Sequence, residues 1–579
     1  MKLLLTVALA LPMLAQEVSY LRVPEDRRDP KSRTIELAYV RLPSTAARPG
    51  PPIVYLAGGP GGSGIQASLG PRAPLFQALR EFGDVIAFDQ RGTGRSRPSL
   101  ACTETWDFDS AQVRTYDSML TLARQQYKTC AERFAQQGVR ITAYTTEASA
   151  DDLDDLRRAL GAEKITLWGI SYGTHLALAT LRRHEAHVAG LILAGVEGPD
   201  HTHKLPSNLD ASLRAVDAAA QLEGLAPISP RLRAARDVLR REPARVTTAG
   251  QDVTVSEFDL QALVMLSMQD RNTLRQLAGL TDALAAGDFR PLAAQMLTLR
   301  RQPVFSMLAI ISNCASGATA ARWRRVQQES SASLLGRTPD FPLPEICSAW
   351  PALDHGDAFR SPVRSRVPVL FISGTLDSRT PPSNAEEVRQ GLPNSTHLII
   401  ENAGHDNDLF LSSPKILETM RAFLRGEKLA DQRISAGPVG FPRAGPTIEG
   451  PDPFLGTWTL NLSQSKFAPG PPPRNLTVTW EREGEGFRVT SQGTDGRGRP
   501  IASTYKAVYD GKPYPPAGPW NWDTVTNRPI NERLREDTFN KNGKVLGTIR
   551  REVSPDGKTM TVTTEFGPAE RSVEVFEKR

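Results

Sequence analysis

At 579 residues the chain is too long for one ordinary hydrophobic core and is expected to divide into two or three domains. A hydrophobic fraction of 40% and a charged fraction of 23% exclude a fibrous or largely disordered chain. The net charge of +6 is spread over many arginines without a dense basic block, which argues against nucleic acid as a partner.

In chain order, the opening "MKLLLTVALALPMLAQE" has one lysine, a short apolar run and a small residue at Ala15. It is expected to be a signal peptide over residues 1–15, placing the mature protein outside the cell or in a periplasm. No later segment carries about 18 uninterrupted apolar residues, so no membrane span is expected. From residue 16 to 200, β-rich runs ("TIELAYVRL", "PIVYLAG", "DVIAFD", "KITLWG", "VAGLILAG") alternate with helical patterns. That alternation predicts a mostly parallel sheet with helices on both faces. In "TTEASADDLDDLRRALG", Leu153, Leu156 and Leu160 share one helical face, with Thr146 or Ser149 as the cap.

Between residues 201 and 360 the strand pattern gives way to amphipathic helices, among them "SPRLRAARDVLRR", capped by Ser229, and "SEFDLQALVMLSM", opened by Ser256 with Asp259 three residues on. Strands return with "PVLFISG" and "THLIIEN", so residues 361–428 complete the α/β core and residues 201–360 form a helical cap over the end of the sheet where such folds bind ligands. Residues 429–453, rich in Gly and Pro, read as a linker. Residues 454–579 alternate apolar and polar residues between turns such as "DGRG" and "PDGK", predicting an antiparallel β barrel or sandwich.

The chemistry is concentrated at "GISYG", residues 169–173. A Gly-x-Ser-x-Gly pattern alone is weak, but this one follows an apolar strand and opens an Ala/Leu-rich helix, as a nucleophile elbow requires. A serine hydroxyl near pH 7 needs a general base, and the base needs an orienting acid. Asp377 in "SGTLDSRTP" and His405 in "ENAGHDND" each fall just past a predicted strand, and the order Ser171, Asp377, His405 is the order this fold demands. Asp406 and Asp408 share the histidine's own loop and are the alternative acids. The loop "YLAGGPGGSG" supplies close backbone, so the amides of Gly59 and Tyr172 are the expected oxyanion donors. The loop lacks the ending of a phosphate-binding loop. Cys102, Cys130, Cys314 and Cys347 are even in number and widely spaced, with no metal-ligand pattern; in an exported chain two disulfides are expected. Neither a metal nor an organic cofactor is implied.

These residues resemble the α/β-hydrolases of the prolyl aminopeptidase and tripeptidyl aminopeptidase group. Six motifs carry the resemblance over about residues 30 to 430: "GGPGGSG", "FDQRGTGRS", "TTEASADDLDDLRRALG", "WGISYGTHLAL", "GTLDSRTPPSNA" and "AGHDNDLF". The resemblance implies an α/β-hydrolase fold with Ser171, Asp377 and His405 as catalytic triad, and supports Gly59 at the oxyanion hole. It also implies pairing of Cys102 with Cys130 and of Cys314 with Cys347. Ala57 stands where relatives of prolyl specificity carry histidine, and no motif places the cap acids that hold a substrate amine. On chemical grounds Glu197, in "AGVEGPDH", is the carboxylate offered for that role, with a framework salt bridge as its other use. The C-terminal part, opening on "FLGTWTLNLSQSKF", resembles the lipocalin-like β domains of some bacterial exported proteins, with Trp458 expected as a core plug.

The resulting expectation is a secreted serine exopeptidase that cuts peptides from their free N-terminus through an acyl-enzyme. Its rivals are a small-molecule esterase or amidase with the same triad, and a ligand- or wall-binding protein with an inert hydrolase domain.

Overall fold

The computed structural model describes residues 17–579 apart from 249, 351–352, 442–451, 468–470, 484–485, 509–512, 518–521, 532, 542–543 and 566–570. The expected signal peptide and most of the expected linker therefore lie outside the described residues. The chain forms two compact units that divide between Phe441 and Pro442.

In the first unit, β1 (Val18–Pro24), β2 (Thr34–Leu42), β3 (Ile53–Leu56), β4 (Val85–Phe88), β5 (Ile165–Ser171) and β6 (Val188–Val196) precede an insertion. Within that insertion β7 (Ala244–Thr248) and β8 (Gln251–Val255) form an antiparallel hairpin, and β9 (Val369–Gly374), β10 (Ser395–Glu401) and β11 (Gln432–Ser435) follow it. The nine-stranded sheet runs β1-β2-β4-β3-β5-β6-β9-β10-β11. Only β1 with β2, and β2 with β4, pair antiparallel; the other neighbours are parallel. Every residue of β3, β4 and β9 is buried, as continuous apolar runs covered by helices on both faces require.

Three elements depart from the sequence expectation. The strand β1, "VSYLRVP", is half-exposed at the sheet edge and too polar to stand out. The strand β11 falls inside the stretch read as linker; "QRIS" has one apolar residue, Ile434, and is a strand only because Leu398–Glu401 offer it a free parallel edge. The insertion is mainly helical, as expected, but contains the β7–β8 hairpin. Helix starts shift slightly too. Thr145, not Thr146 or Ser149, caps Thr146–Ala159, and Ile228–Arg241 is capped by Asp217, which accepts the amides of Ile228 and Ser229 at 2.7 and 2.8 Å. Ser256 and Asp259 form the expected capping box.

Both disulfides pair as expected. Cys102–Cys130 ties the segment after β4 to the helix Tyr116–Gln136, and Cys314–Cys347 ties the cap helix Met307–Ser316 to the turn Glu345–Ala349. The Cys314→Ser/Cys347→Ser pair of changes is expected to cost about 4 kcal/mol of stability, the value for closing a loop of this size. Thermal or urea unfolding with and without reductant checks this: the wild type should exceed the variant without reductant, and the two should coincide with it, since reductant opens both disulfides.

In the second unit the strands Gly456–Lys466, Asn475–Glu483, Gly486–Thr494 and Pro500–Ala507 continue antiparallel, and Thr524–Asn531, Leu534–Lys541, Lys544–Val553, Thr559–Glu565 and Arg571–Lys578 complete the sheet. One short stretch pairs with both ends: Pro513–Tyr514 with Thr526 and Val525, and Pro516–Ala517 with Tyr505 and Thr504. The sheet is thus a nearly closed antiparallel barrel, and of the two expected forms it is the barrel rather than the sandwich. Trp458 is fully buried and donates from Nε1 to Phe454 O at 2.8 Å, so it is a core plug. The strands at 524–531 and 534–541 escape a sequence reading because Asn527, Arg535 and Asp537 face inward among Trp522, Val525 and Phe539. That replaces apolar alternation with buried polar pairs.

Candidate functional site

Ser171 closes β5 with φ 55° and ψ −126°, and the helix Tyr172–His184 begins at the next residue. A non-glycine residue in that conformation is strained and persists only where its surroundings over-determine it. The surroundings here are tight. A Cβ at Gly173 would lie 2.1 Å from Leu56 O on β3, and one at Gly58 would lie 2.9 Å from the Ser171 Cβ. The glycine after the serine therefore lets the helix start against the neighbouring strand, and Gly58 lets the 57–63 loop lie on the serine itself.

That loop is held by the segment "FDQRGTGRS". Asp89, fully buried, accepts from Ser63 Oγ at 2.6 Å, the Ile65 amide at 3.0 Å and the Arg95 amide at 2.8 Å. Gln90 Nε2 donates to Ala57 O at 3.0 Å. Arg91 makes a fully buried pair of bonds to Asp152, 2.7 and 2.6 Å, on the helix Thr146–Ala159. Two of the sequence motifs thus brace the loop and the helix packing rather than reach the cleft.

Asp377 lies just past β9 and His405 just past β10, each at the carboxyl end of a parallel strand of the sheet whose β5 carries Ser171. His405 Nδ1 and Asp377 Oδ2 are 2.8 Å apart. The second oxygen, Asp377 Oδ1, accepts the amides of Arg379 and Thr380, both at 2.8 Å, and Thr380 Oγ1 donates to Oδ2 at 2.8 Å. Burial pushes the Asp377 carboxyl up, but the His405 ring and these donors outweigh it and hold it below the ordinary carboxylate value. Asp377 is therefore a fixed anion. The other acids considered are committed elsewhere: Asp406 pairs with Arg72, and Asp408 accepts the amides of Gly404 at 2.9 Å and Arg271 at 3.0 Å.

Ser171 and His405 line one cleft of about 810 Å³, together with Gly58 and Gly59. The cap helix Met307–Ser316 and the segment around Phe341 line its far side. Tyr172 is buried, its hydroxyl 3.0 Å from Thr146 Oγ1. Glu197 also lines the cleft, and its carboxylate is bonded to Lys204 Nζ at 2.7 Å. Burial pushes Glu197 up, yet Lys204 and His175 hold it below its ordinary value, so it is anionic and already half-satisfied. Thr380, Gly58 and Asp340 belong to the site although no motif reasoning singled them out. Thr380 sits in "GTLDSRTPP", three residues after the acid, where a hydroxyl facing back on the carboxylate could have been anticipated.

Among the described residues Asp154, His184 and His187 come close enough together to suggest a cation site. Arg157 and Arg158 both occupy Asp154, however, which makes the cluster an ion-pair network. No described helix is long and apolar enough to cross a membrane.

Residues 51–228 match the family model described as the alpha/beta hydrolase fold, and residues 341–434 match the one described as TAP-like protein. The chain is 24% identical to the tripeptidyl aminopeptidase of Streptomyces lividans over 74% of this chain and 84% of that protein. It is 32% identical to the serine protease Hip1 of Mycobacterium tuberculosis over 31% of this chain and 36% of that one. With the carboxylesterase B of the same species it shares 35% identity over 31% of this chain and 35% of that one. The two model matches flank the cap and carry, between them, Ser171, Asp377 and His405. With this strand order around them, the chain is a hydrolase with the α/β-hydrolase fold, and the part that completes its sheet is similar to the TAP-like protein model.

Proposed function

We propose that the chain is an exported serine peptidase that acts at the free N-terminus of peptides, with Ser171, His405 and Asp377 as its triad. The observation that supports this best is the His405–Asp377 bond in the cleft wall that also holds the strained Ser171, beneath a cap that closes the far end.

The chemistry follows from the geometry. Asp377, fixed by four donors, keeps the proton of His405 on Nδ1, which leaves Nε2 as base. His405 takes the Ser171 proton as Oγ attacks the substrate carbonyl, then returns it to the leaving amine. The developing oxyanion is met by backbone amides of Tyr172, at the start of a helix whose dipole strengthens the bond, and of Gly59. Water then attacks the acyl-enzyme by the same route. A substrate ammonium finds two carboxylates in the cleft, Glu197 and Asp340, and the names of the Streptomyces relatives agree with that polarity. Two disulfides and a leader-like N-terminus support export.

The free-amine reading is tested by one comparison. N-acetylating a short peptide substrate is expected to lower kcat/KM by about 10²-fold or more, the effect of removing the cation that a site built for a free amine would bind. Equal turnover of the acetylated and free peptides would instead assign a small-molecule esterase or amidase, the reading that similarity to a carboxylesterase favours.

A further inference from the structure

The charged groups that line the cleft do not all pair. Arg72 is bonded to Asp406, to Tyr55 Oη and to Asn407 Oδ1, and Lys204 is bonded to Glu197. Asp340 accepts the Lys204 amide at 2.8 Å and has His203 Nδ1 at 3.7 Å. Arg379 is different. Its backbone amide is held by Asp377 Oδ1 at 2.8 Å, so the residue is fixed two positions from the triad acid, ahead of Pro381 and Pro382. The residue lines the cleft, and its guanidinium makes no hydrogen bond or ion pair to any described residue. The residue is partly exposed. Burial lowers its pKa, and Glu197, then Asp340 and Asp377, oppose that only from a distance.

A guanidinium stays charged in a protein, and one that lines a cleft with its five donors unpaired by described residues is available to a ligand. The group that completes it best is a carboxylate, which matches the planar fork with two parallel bonds. We propose that Arg379 is a specificity-determining residue of the cleft and receives a carboxylate of the peptide substrate. This deepens the reading of the cleft as a peptide site and rests on it. Beside it the cleft offers an apolar aromatic wall, with Phe305 half-exposed and Phe341 packed on Trp106, so a neutral part of the substrate has its own surface. The carboxylate can be an acidic side chain or the C-terminus of a short peptide, and the two have the same chemistry at Arg379.

The experiment measures kcat/KM by following unlabelled peptides chromatographically in two arms. The first uses peptides with an amidated C-terminus, in which Glu is compared with Gln at each of the first four positions. The second uses neutral peptides of three to six residues with free or amidated C-termini. Wild type is expected to prefer the carboxylate form in one arm by about tenfold or more, the factor a charge-assisted bond supplies, and that arm names the source. In Arg379→Gln the ratio is expected to fall to about one, and Arg379→Lys, which keeps a point charge without the fork, should retain part of it. Melting curves establish that each variant is folded, and if the glutamine variant does not fold, the lysine variant and the wild-type ratios decide. No preference in either arm, or a preference unchanged in Arg379→Gln, overturns the proposal, as does a loss shared equally by both forms. Each peptide is also run N-acetylated. A lost free-amine requirement with the carboxylate preference intact overturns the aminopeptidase reading alone, and the converse overturns the Arg379 site alone.

Discussion

Ser171→Ala is expected to lower kcat on any peptide or ester substrate by at least about 10⁴-fold while leaving the fold intact. In the proposed reaction the hydroxyl is the atom that begins the acyl transfer. Alanine removes it while keeping the Cβ that the Gly58 backbone packs against. The change also keeps a non-glycine residue at φ 55°, so the strain of the turn is unaltered and stability should move by less than about 1 kcal/mol. Binding of substrate should survive, because the cleft and its charged groups are untouched. The measurement is kcat and KM on one substrate, with a melting curve beside it. A variant that keeps more than about a hundredth of wild-type kcat would remove Ser171 as nucleophile.

Asp377→Asn is expected to reduce kcat by about 10⁴-fold with a smaller effect on KM. The amide can keep its oxygen at the Oδ1 position, where the Arg379 and Thr380 N–H groups need an acceptor. Its NH₂ then faces His405 Nδ1 and forces the ring proton onto Nε2, where the base is required. Thr380 Oγ1 must turn as well, since it can no longer donate to a carboxylate oxygen. The informative comparison is Asp406→Asn. Asp406 shares the histidine loop but pairs with Arg72, so its loss should cost orders of magnitude less. Were the two variants equally impaired, the acid would be misassigned. Asp377 also links activity to acid stability. Its folded-state value lies below the ordinary one, so its stabilising contribution is full above the ordinary carboxylate range and is lost as pH falls through the lowered value. The asparagine variant should therefore be less acid-sensitive in unfolding than the wild type.

Much of the fold was legible because its elements are extreme cases of their type. The strands β3, β5, β6 and β9 are continuous apolar runs buried on both faces, and such runs leave few alternatives. Ser171, Asp377 and His405 were legible because a strand followed by a glycine-bearing loop marks the carboxyl edge of a parallel sheet, where chemistry collects. What escaped was decided by partners distant in the chain. The strand β11 has too few apolar residues to announce itself and exists because β10 leaves an edge open. The inward-facing Asn527, Arg535 and Asp537 defeat the alternation rule, since each is buried only by virtue of its polar neighbour.

The functional residues divide along the same line. The sequence by itself determined the candidate nucleophile and base, the helix-rich segment between β6 and β9, and the separate β domain, because these depend on local periodicity and chain order. Only the tertiary structure decided that Asp377 rather than Asp406 or Asp408 meets His405, since three carboxylates within reach of one loop are equivalent until the sheet orients them. It also decided that Glu197 is already shared with Lys204 while the Arg379 side chain has no hydrogen-bonding or ion-pair partner among the described residues. Pairing is a property of space, and an ion's partner can lie hundreds of residues away.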